Sequence, residues 1–314
     1  MAQNFELISV EAGMKNKGTL KLSDLIIDIK YIPLETKNEF LISYIDKIII
    51  SDKLIFLKNH QPPALYVFER SGKFVTKVGT RGKGPLEYNY IRSFCIDERN
   101  NQIFIYAAFP HKLLIFNYSG IFDRKYECSS ILTVNDMEFF TNEKYIVMYG
   151  NPNGTTPFSY ETYMSNNKLI GKNVKPVSYS NNGSFGLIKE FSHYIFNNSL
   201  FVKENVLNDT LYKVSSSSEF IPYYVFNFGK YEFLKDIRVN PKKYLGRNIN
   251  NYIVMNNMFE TKQYLFYSYS LDNRNFLNYY DKYKIYPILL TEMAYQMIMM
   301  VELIFVLFFK KTTR

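Results

Sequence analysis

The chain has no tryptophan, two cysteines, three histidines and six alanines in 314 residues, and each shortage excludes something. Alanine is the best helix former, so its scarcity argues against a helical protein. Cys95 and Cys128 are too few for a disulfide framework and form no C-x-x-C pair; two ordinary thiols are expected, with one disulfide as the minority alternative, and neither redox compartment is excluded. His60, His111 and His193 form no H-E-x-x-H run and no short-spaced cluster with Cys or Asp, so no metal and no other cofactor is expected. Asp46, Asp97 and Asp136 could meet in three dimensions, but their spacing assigns no carboxylate pair and therefore no catalytic residue. The start, MAQNFELISVEAGMKNKG, lacks the basic residues and apolar run of a secretory signal.

Aromatic residues are abundant instead: 28 Tyr and 27 Phe make up 18% of the chain. Together with Ile and Val they suit a pleated, half-buried surface, so an all-β fold is expected. With 47% hydrophobic and 21% charged residues, a mostly disordered chain is excluded. The formal charge of +9 is spread along the chain rather than gathered in a stripe. Nucleic acid is therefore disfavoured as a partner, and weak attraction for anions is expected.

The strongest internal signal is a repeat. LYVFERSGKF (65–74) matches LLIFNYSGIF (113–122), pairing Phe68 with Phe116, Ser71 with Ser119, Gly72 with Gly120 and Phe74 with Phe122. KLIFL (53–57) precedes the first copy as QIFIY (102–106) precedes the second, and Ser51-Asp52-Lys53 reads as a hairpin turn after IDKIII. About four short strands in a period of 40 to 50 residues is the pattern of a propeller blade. One such unit cannot bury both of its faces, and packing against neighbours covers them. The expectation is a β-propeller, nominally six-bladed, with its last blade incomplete. Residues 1–24 form an N-terminal arm, 25–284 the propeller and 285–314 an atypical apolar tail. LIIDIKYIPLE (25–35) is expected to open the propeller as a strand ending near Pro33, and 230–251 to be an insertion with a short helix. The tail, from Ile285 to Phe309, approaches the length of a membrane span, but Glu292 and Glu302 interrupt it, so membrane association through 285–309 is the less favoured expectation.

KVGTRGKGPLEYNYIR (77–92) is the most distinctive stretch. It is not a P-loop, because no GK[ST] opens a helix, and Pro85 and Tyr88 lead toward another β run. It reads as a connection between blades in which glycines permit turns and Glu87 or Tyr88 pins the loop. The alternative is a ligand loop on one rim, with Arg81, Lys83 and Arg92 as anion contacts. His60 and His111 fall at similar points of successive repeats, where a turn role is expected. Ser71 and Ser119 lack the G-x-S-x-G setting of a hydrolase nucleophile. The N-x-[ST] matches at Asn117, Asn182, Asn197 and Asn208 are expected by chance in a chain this rich in asparagine.

These residues resemble the six-bladed β-propeller proteins abundant in gut Bacteroidota, which are related to NHL-type propellers. Tyr31-Ile-Pro-Leu-Glu-Thr36 resembles that family's opening strand and YVFERSGKFVTKVGTRGKGPLEY (66–88) its most typical stretch. The similarity resumes at NDTLYKV (208–214) and MFETKQYLFYSYS (258–270). The resemblance implies a propeller exported to the periplasm or held at the cell envelope, and it carries over no catalytic residue. Leu86 stands where the family commonly has glycine, and Glu292-Met293-Ala294-Tyr295 replace its usual Asn-Asp-Ile-Asp-Gly-Gly-like region. The leading functional expectation is a non-enzymatic scaffold that binds a protein, peptide or glycan through rim loops; the alternative is a polysaccharide lyase or glycoside hydrolase acting in the central funnel. A shifted reading frame would account for the abrupt change at residue 285. Translating the coding DNA in its other frames beyond codon 284 should then reveal alternating strand patterns, and their absence would contradict it.

Overall fold

The second and third strands of each repeat are apolar at nearly every position, which forces burial of both of their faces. The computed structural model describes residues 5–25, 28, 30–36, 42–128, 133–141, 143–150, 156–174, 190–205, 208–216, 218–232 and 249–290. The chain begins with β1 (Glu6–Ser9), the short helix α1 (Val10–Lys15) and β2 (Lys17–Gly18). A first sheet follows: β3 (Ile45–Ile50), β4 (Leu54–Asn59), β5 (Ala64–Glu69) and β6 (Phe74–Lys77). The second holds β7 (Tyr90–Asp97), β8 (Gln102–Ala108), β9 (Lys112–Asn117) and β10 (Phe122–Glu127). The third holds β11 (Val134–Thr141), β12 (Lys144–Tyr149), β13 (Phe158–Met164) and β14 (Leu169–Val174). The fourth is β15 (Phe191–Phe196), β16 (Ser199–Glu204), β17 (Thr210–Val214) and β18 (Phe220–Asn227), with β1 as a fifth strand beside β18, and the fifth is β19 (Val254–Glu260), β20 (Tyr264–Leu271), β21 (Arg274–Asp281) and β22 (Tyr286–Leu290), with β2 beside β22.

Apart from β1 and β2, strands adjoin in chain order within each sheet, the up-and-down arrangement of a propeller blade. The fold is an all-β propeller, as expected, with five such sheets among the described residues, in keeping with a nominally six-bladed plan whose last blade is incomplete. The five residues of β22 belong to the fifth sheet, although the apolar tail was expected to start at 285; residues 291–314 lie outside the described residues. No helix among the described residues is long and apolar enough to cross a membrane.

Two compact units divide the chain. In the unit containing residues 25–147, β7 packs against β11 and β3, and Phe56, Leu65, Val67, Phe94, Ile103, Ile105 and Leu114 share one buried cluster. In the unit containing 5–24, 169–205 and 249–290, β15 packs against β19. Its core is rich in tyrosine: Tyr267, Tyr269 and Tyr280 are buried with Phe226, Met255 and Leu265. Tyr267 and Tyr269 line one side of β20, and Phe226 meets Tyr267 edge-on at 5.4 Å. Burial of these rings pushes the Tyr267 and Tyr269 hydroxyls above the usual tyrosine range.

The repeat is physical. Glu69 N–H bonds Lys73 O at 2.8 Å and Asn117 N–H bonds Ile121 O at 2.9 Å, so both copies close the same turn. Gly72 and Gly120 occupy it at φ +90° and +79°, a region that favours glycine. Phe68 and Phe74 then meet at 5.7 Å, as Phe116 and Phe122 do.

The expected opening strand at 25–35 is not a strand among its described residues. Pro33 has no N–H to donate to a ladder. Instead Glu35 lends its N–H to Gly72 O at 2.8 Å and its carboxylate to Phe74 N–H at 2.8 Å, while Ile32 and Leu34 pack on the first sheet. Gly72 leaves no room above this contact, since a Cβ there would stand 2.0 Å from Pro33 O. Gly72→Ala should therefore cost about 2 kcal/mol or more, against about 1 kcal/mol for Gly120→Ala, where the nearest neighbour is a threonine side chain. Urea unfolding of both variants checks the order, and equal losses would contradict the close contact at Pro33.

Candidate functional site

Strand β3 starts at the end of the first sheet where β4 turns into β5, and the loop 78–89 leaves β6 at that same end to begin β7. The functional candidates in this unit gather there. Asp46 on β3 receives Lys58 Nζ at 2.8 Å and lies 3.1 Å from His60 Nδ1, both from the end of β4. The Lys58 ammonium also donates to Arg92 O at 3.1 Å and sits 5.5 Å over the Tyr90 ring. Burial pulls the Lys58 pKa down, and Asp46 opposes that fall. His60 stands edge-on to Tyr44 at 5.8 Å and to Tyr90 at 6.2 Å. His111 occupies the corresponding turn of the second sheet, beside Phe109 and Tyr106.

One residue along β3, Lys47 reaches β11. Its Nζ lies 2.8 Å from Asp136 and 3.6 Å from Glu138 and donates to Met137 O, while Ser93 Oγ on β7 donates to Asp136 at 2.5 Å. Burial alone would lower the Lys47 pKa, but the two carboxylates outweigh it and hold it above the ordinary lysine value. Asp46 and Asp136 thus belong to neighbouring parts of one lysine-bridged network. Asp97 does not join them: it accepts from the backbone of Arg99 and Asn100 and closes the turn after β7.

The glycine loop is held from within. Glu87 accepts from Gly84 N–H at 2.8 Å, and a Cβ on Gly82 would collide with the Glu87 carboxylate at 2.0 Å. Tyr88 is buried, and its hydroxyl donates to Val78 O at 3.0 Å. Lys112 donates to Gly84 O and Pro85 O, fastening the loop to the start of β9. Gly79 takes φ +65° against the Phe116 ring. Arg81 and Lys83 are exposed, whereas Arg92 lies half-buried on β7. Of the five residues proposed for the loop, Glu87 and Tyr88 therefore build it and Arg81 and Lys83 face solvent. Tyr44 and Phe109, 67% and 69% exposed, stand at the same end and were missed, because nothing in the sequence separates them from the many buried rings.

The other unit repeats the same electrostatic solution. Glu161 on β13 is gripped by Lys172 at 2.8 Å and by the Tyr149 and Tyr163 hydroxyls at 2.5 and 2.6 Å. Burial would raise its pKa, yet these donors hold it below the usual carboxylate value. Glu260 on β19 takes Lys282 at 2.6 Å and the hydroxyls of Tyr194 and Tyr223 at 2.9 and 3.0 Å. Lys203 differs: it is fully buried, donates to Glu204 O and Asn208 O, and faces the rings of Phe226 and Phe228. Burial pushes its pKa down to about 7. His193 lies on β15. Among the described residues no group of His, Cys, Asp and Glu could hold a metal ion.

Lys47→Met should cost about 3 kcal/mol by leaving Asp136 and Glu138 without their cation, and adding Asp136→Asn and Glu138→Gln should recover most of it. Urea unfolding measures both; a loss below about 1 kcal/mol would place the network on the level of a surface ion pair. For Lys203, the unfolded chain keeps its proton up to the ordinary lysine range while the folded chain releases it above about 7. The unfolded state then binds more protons across that window, so this residue makes stability rise from pH 7 toward pH 10. The rise should flatten in Lys203→Met; an unchanged pH profile would contradict it.

No curated protein matches the chain. Among solved structures, a Bacteroides fragilis NCTC 9343 protein assigned to export is similar over 90% of this chain and 79% of its own, with 20% identity and a TM-score of 0.66. A member of the DUF4221 family from Bacteroides vulgatus ATCC 8482 is similar over 83% of this chain and 84% of its own, with 11% identity and a TM-score of 0.52. Both are similar in fold. The sequence profile of a domain of unknown function, DUF4934, matches residues 5–285, and by that match the chain belongs to the DUF4934 family.

Proposed function

We propose that the chain is a non-enzymatic propeller scaffold that binds a protein, peptide or glycan at the loop end of its first two sheets. The observation that carries this reading is a division of labour at that end. Exposed Tyr44, Phe109, Arg81 and Lys83 offer apolar ring faces and positive charge to a partner, while Asp46, Asp136 and Glu138 are bound to lysines. Aromatic side chains and arginine are the residue types that dominate recognition surfaces, and Lys83 adds positive charge beside Arg81. A glycoside hydrolase of the common type uses a pair of carboxyl groups to give and take protons, and these acids are instead committed to ion pairs with Lys47 and Lys58. Glu87 and Lys112 keep the glycine loop in one shape, so Arg81 and Lys83 are presented at little entropic cost. The same proposal extends to this chain the export that the Bacteroides fragilis relative is assigned, which would bring it to the periplasm or cell envelope.

A screen of peptides and glycans against the full chain should return an anionic or aromatic-stacking ligand. Arg81→Ala with Lys83→Ala should then weaken binding at least tenfold without moving the melting temperature, and added salt should do the same. Unaltered affinity in the double variant, or a ligand that ignores Tyr44→Ala and Phe109→Ala as well, would place the binding surface elsewhere.

A further inference from the structure

The first residues of the chain are bound as a peptide would be. β1 adds in parallel to the edge of β18, pairing Glu6 with Tyr224, Leu7 with Val225, Ile8 with Phe226 and Ser9 with Asn227. After α1, β2 adds in parallel to the edge of β22, pairing Lys17 with Leu289 and Gly18 with Leu290. One segment thus extends two successive sheets of its unit by strand addition, the mode by which sheet edges capture peptides.

Side chains give the contact a pattern. Ile8 and Val10 are fully buried among Phe226, Phe228 and Tyr280. The Tyr280 hydroxyl donates to the Glu6 carboxylate, and Ser9 Oγ caps the helix through Ala12 N–H. Gly13 lies against Pro287, where a Cβ would stand 2.9 Å away, and Gly18 lies against Ile288 at 2.4 Å. Leu7, 58% exposed, points the other way. The segment therefore needs two apolar anchors, two glycines and an acid at fixed spacing. A helix of six residues is not stable alone, so the segment acquires its form on docking.

We propose that the edges of β18 and β22 are a strand-acceptor site and that a second copy of this chain fits it by exchanging residues 5–18. The edges of β18 and β22 fit that segment residue by residue, and a second copy presents the identical pattern, so exchange rebuilds every contact without loss. The link permits it: residues 19–31 separate Gly18 from Ile32, which packs on the first sheet. No strand occurs among the described residues of that link, and it can extend to about 45 Å.

Two differently labelled preparations of the full chain, concentrated together, should yield dimers carrying both labels, and Ile8→Asp should abolish them. Absence of mixed dimers in the native chain at high concentration overturns the proposal. Because Ile8→Asp could also weaken the fold, a second arm keeps the chain native. A protease site placed after Thr19 is cut in the folded full chain, and a fluorescent synthetic peptide of residues 1–19 is added. One peptide should bind per chain as the cut segment leaves, and a peptide with Ile8→Asp should bind at least 100-fold more weakly. A cut chain that loses its segment and takes up no peptide overturns the acceptor site itself.

Discussion

Sheets that are apolar on both sides cannot face water on either, and this constraint organises the rest of the molecule. Along β5 the residues Ala64 to Phe68 are all buried, and along β9 so are Lys112 to Phe116. The outer strand β6 alternates instead, with Val75 exposed between half-buried neighbours. Packing sheet against sheet satisfies the middle strands, and the aromatic excess supplies rings large enough to fill the space. Phenylalanine and tyrosine pairs at about 5 to 6 Å recur in both units, largely edge-on or tilted, the geometries that ring quadrupoles favour.

The same burial dictates the electrostatics. First strands carry Asp46, Asp136 and Glu260, and the third strand β13 carries Glu161; an acid taken out of water needs a cation and hydrogen-bond donors. Asp46, Asp136, Glu161 and Glu260 each have a lysine within 3 Å, and tyrosine hydroxyls complete the shell of the last two. Carboxylates to which spacing alone assigned no role are in this way committed to holding strands together. In the proposed function, recognition is left to side chains outside these knots, at the loop end where Arg81, Lys83, Tyr44 and Phe109 are exposed.

The parts of the fold that rest on local chemistry were legible in the sequence. The Ser-Gly turns announced themselves because only glycine takes φ near +80° cheaply, and the unbroken apolar runs marked second and third strands. Strand addition by β1 and β2 was not legible, since ELIS and KG carry too little periodicity to signal an edge. Residues 25–35 misled because LIIDIKYIPLE reads as a strand ending near Pro33, whereas its described residues form none and Glu35 instead bonds Gly72. The site was visible only in part. Glu87 and Tyr88 were readable as the pins of a glycine loop, being close in sequence to what they hold. The pairing of Lys47 with Asp136 spans 89 positions, and no spacing rule reaches that far.

The central claim is that the buried acids serve structure and the exposed rings and cations serve binding. Incubation of the native chain with neutral and acidic polysaccharides, followed by assay for new reducing ends and unsaturated sugars, tests it most directly. The account predicts no product with any of them. Product that forms with the native chain and disappears in Asp46→Asn, Asp136→Asn or Glu161→Gln would contradict it.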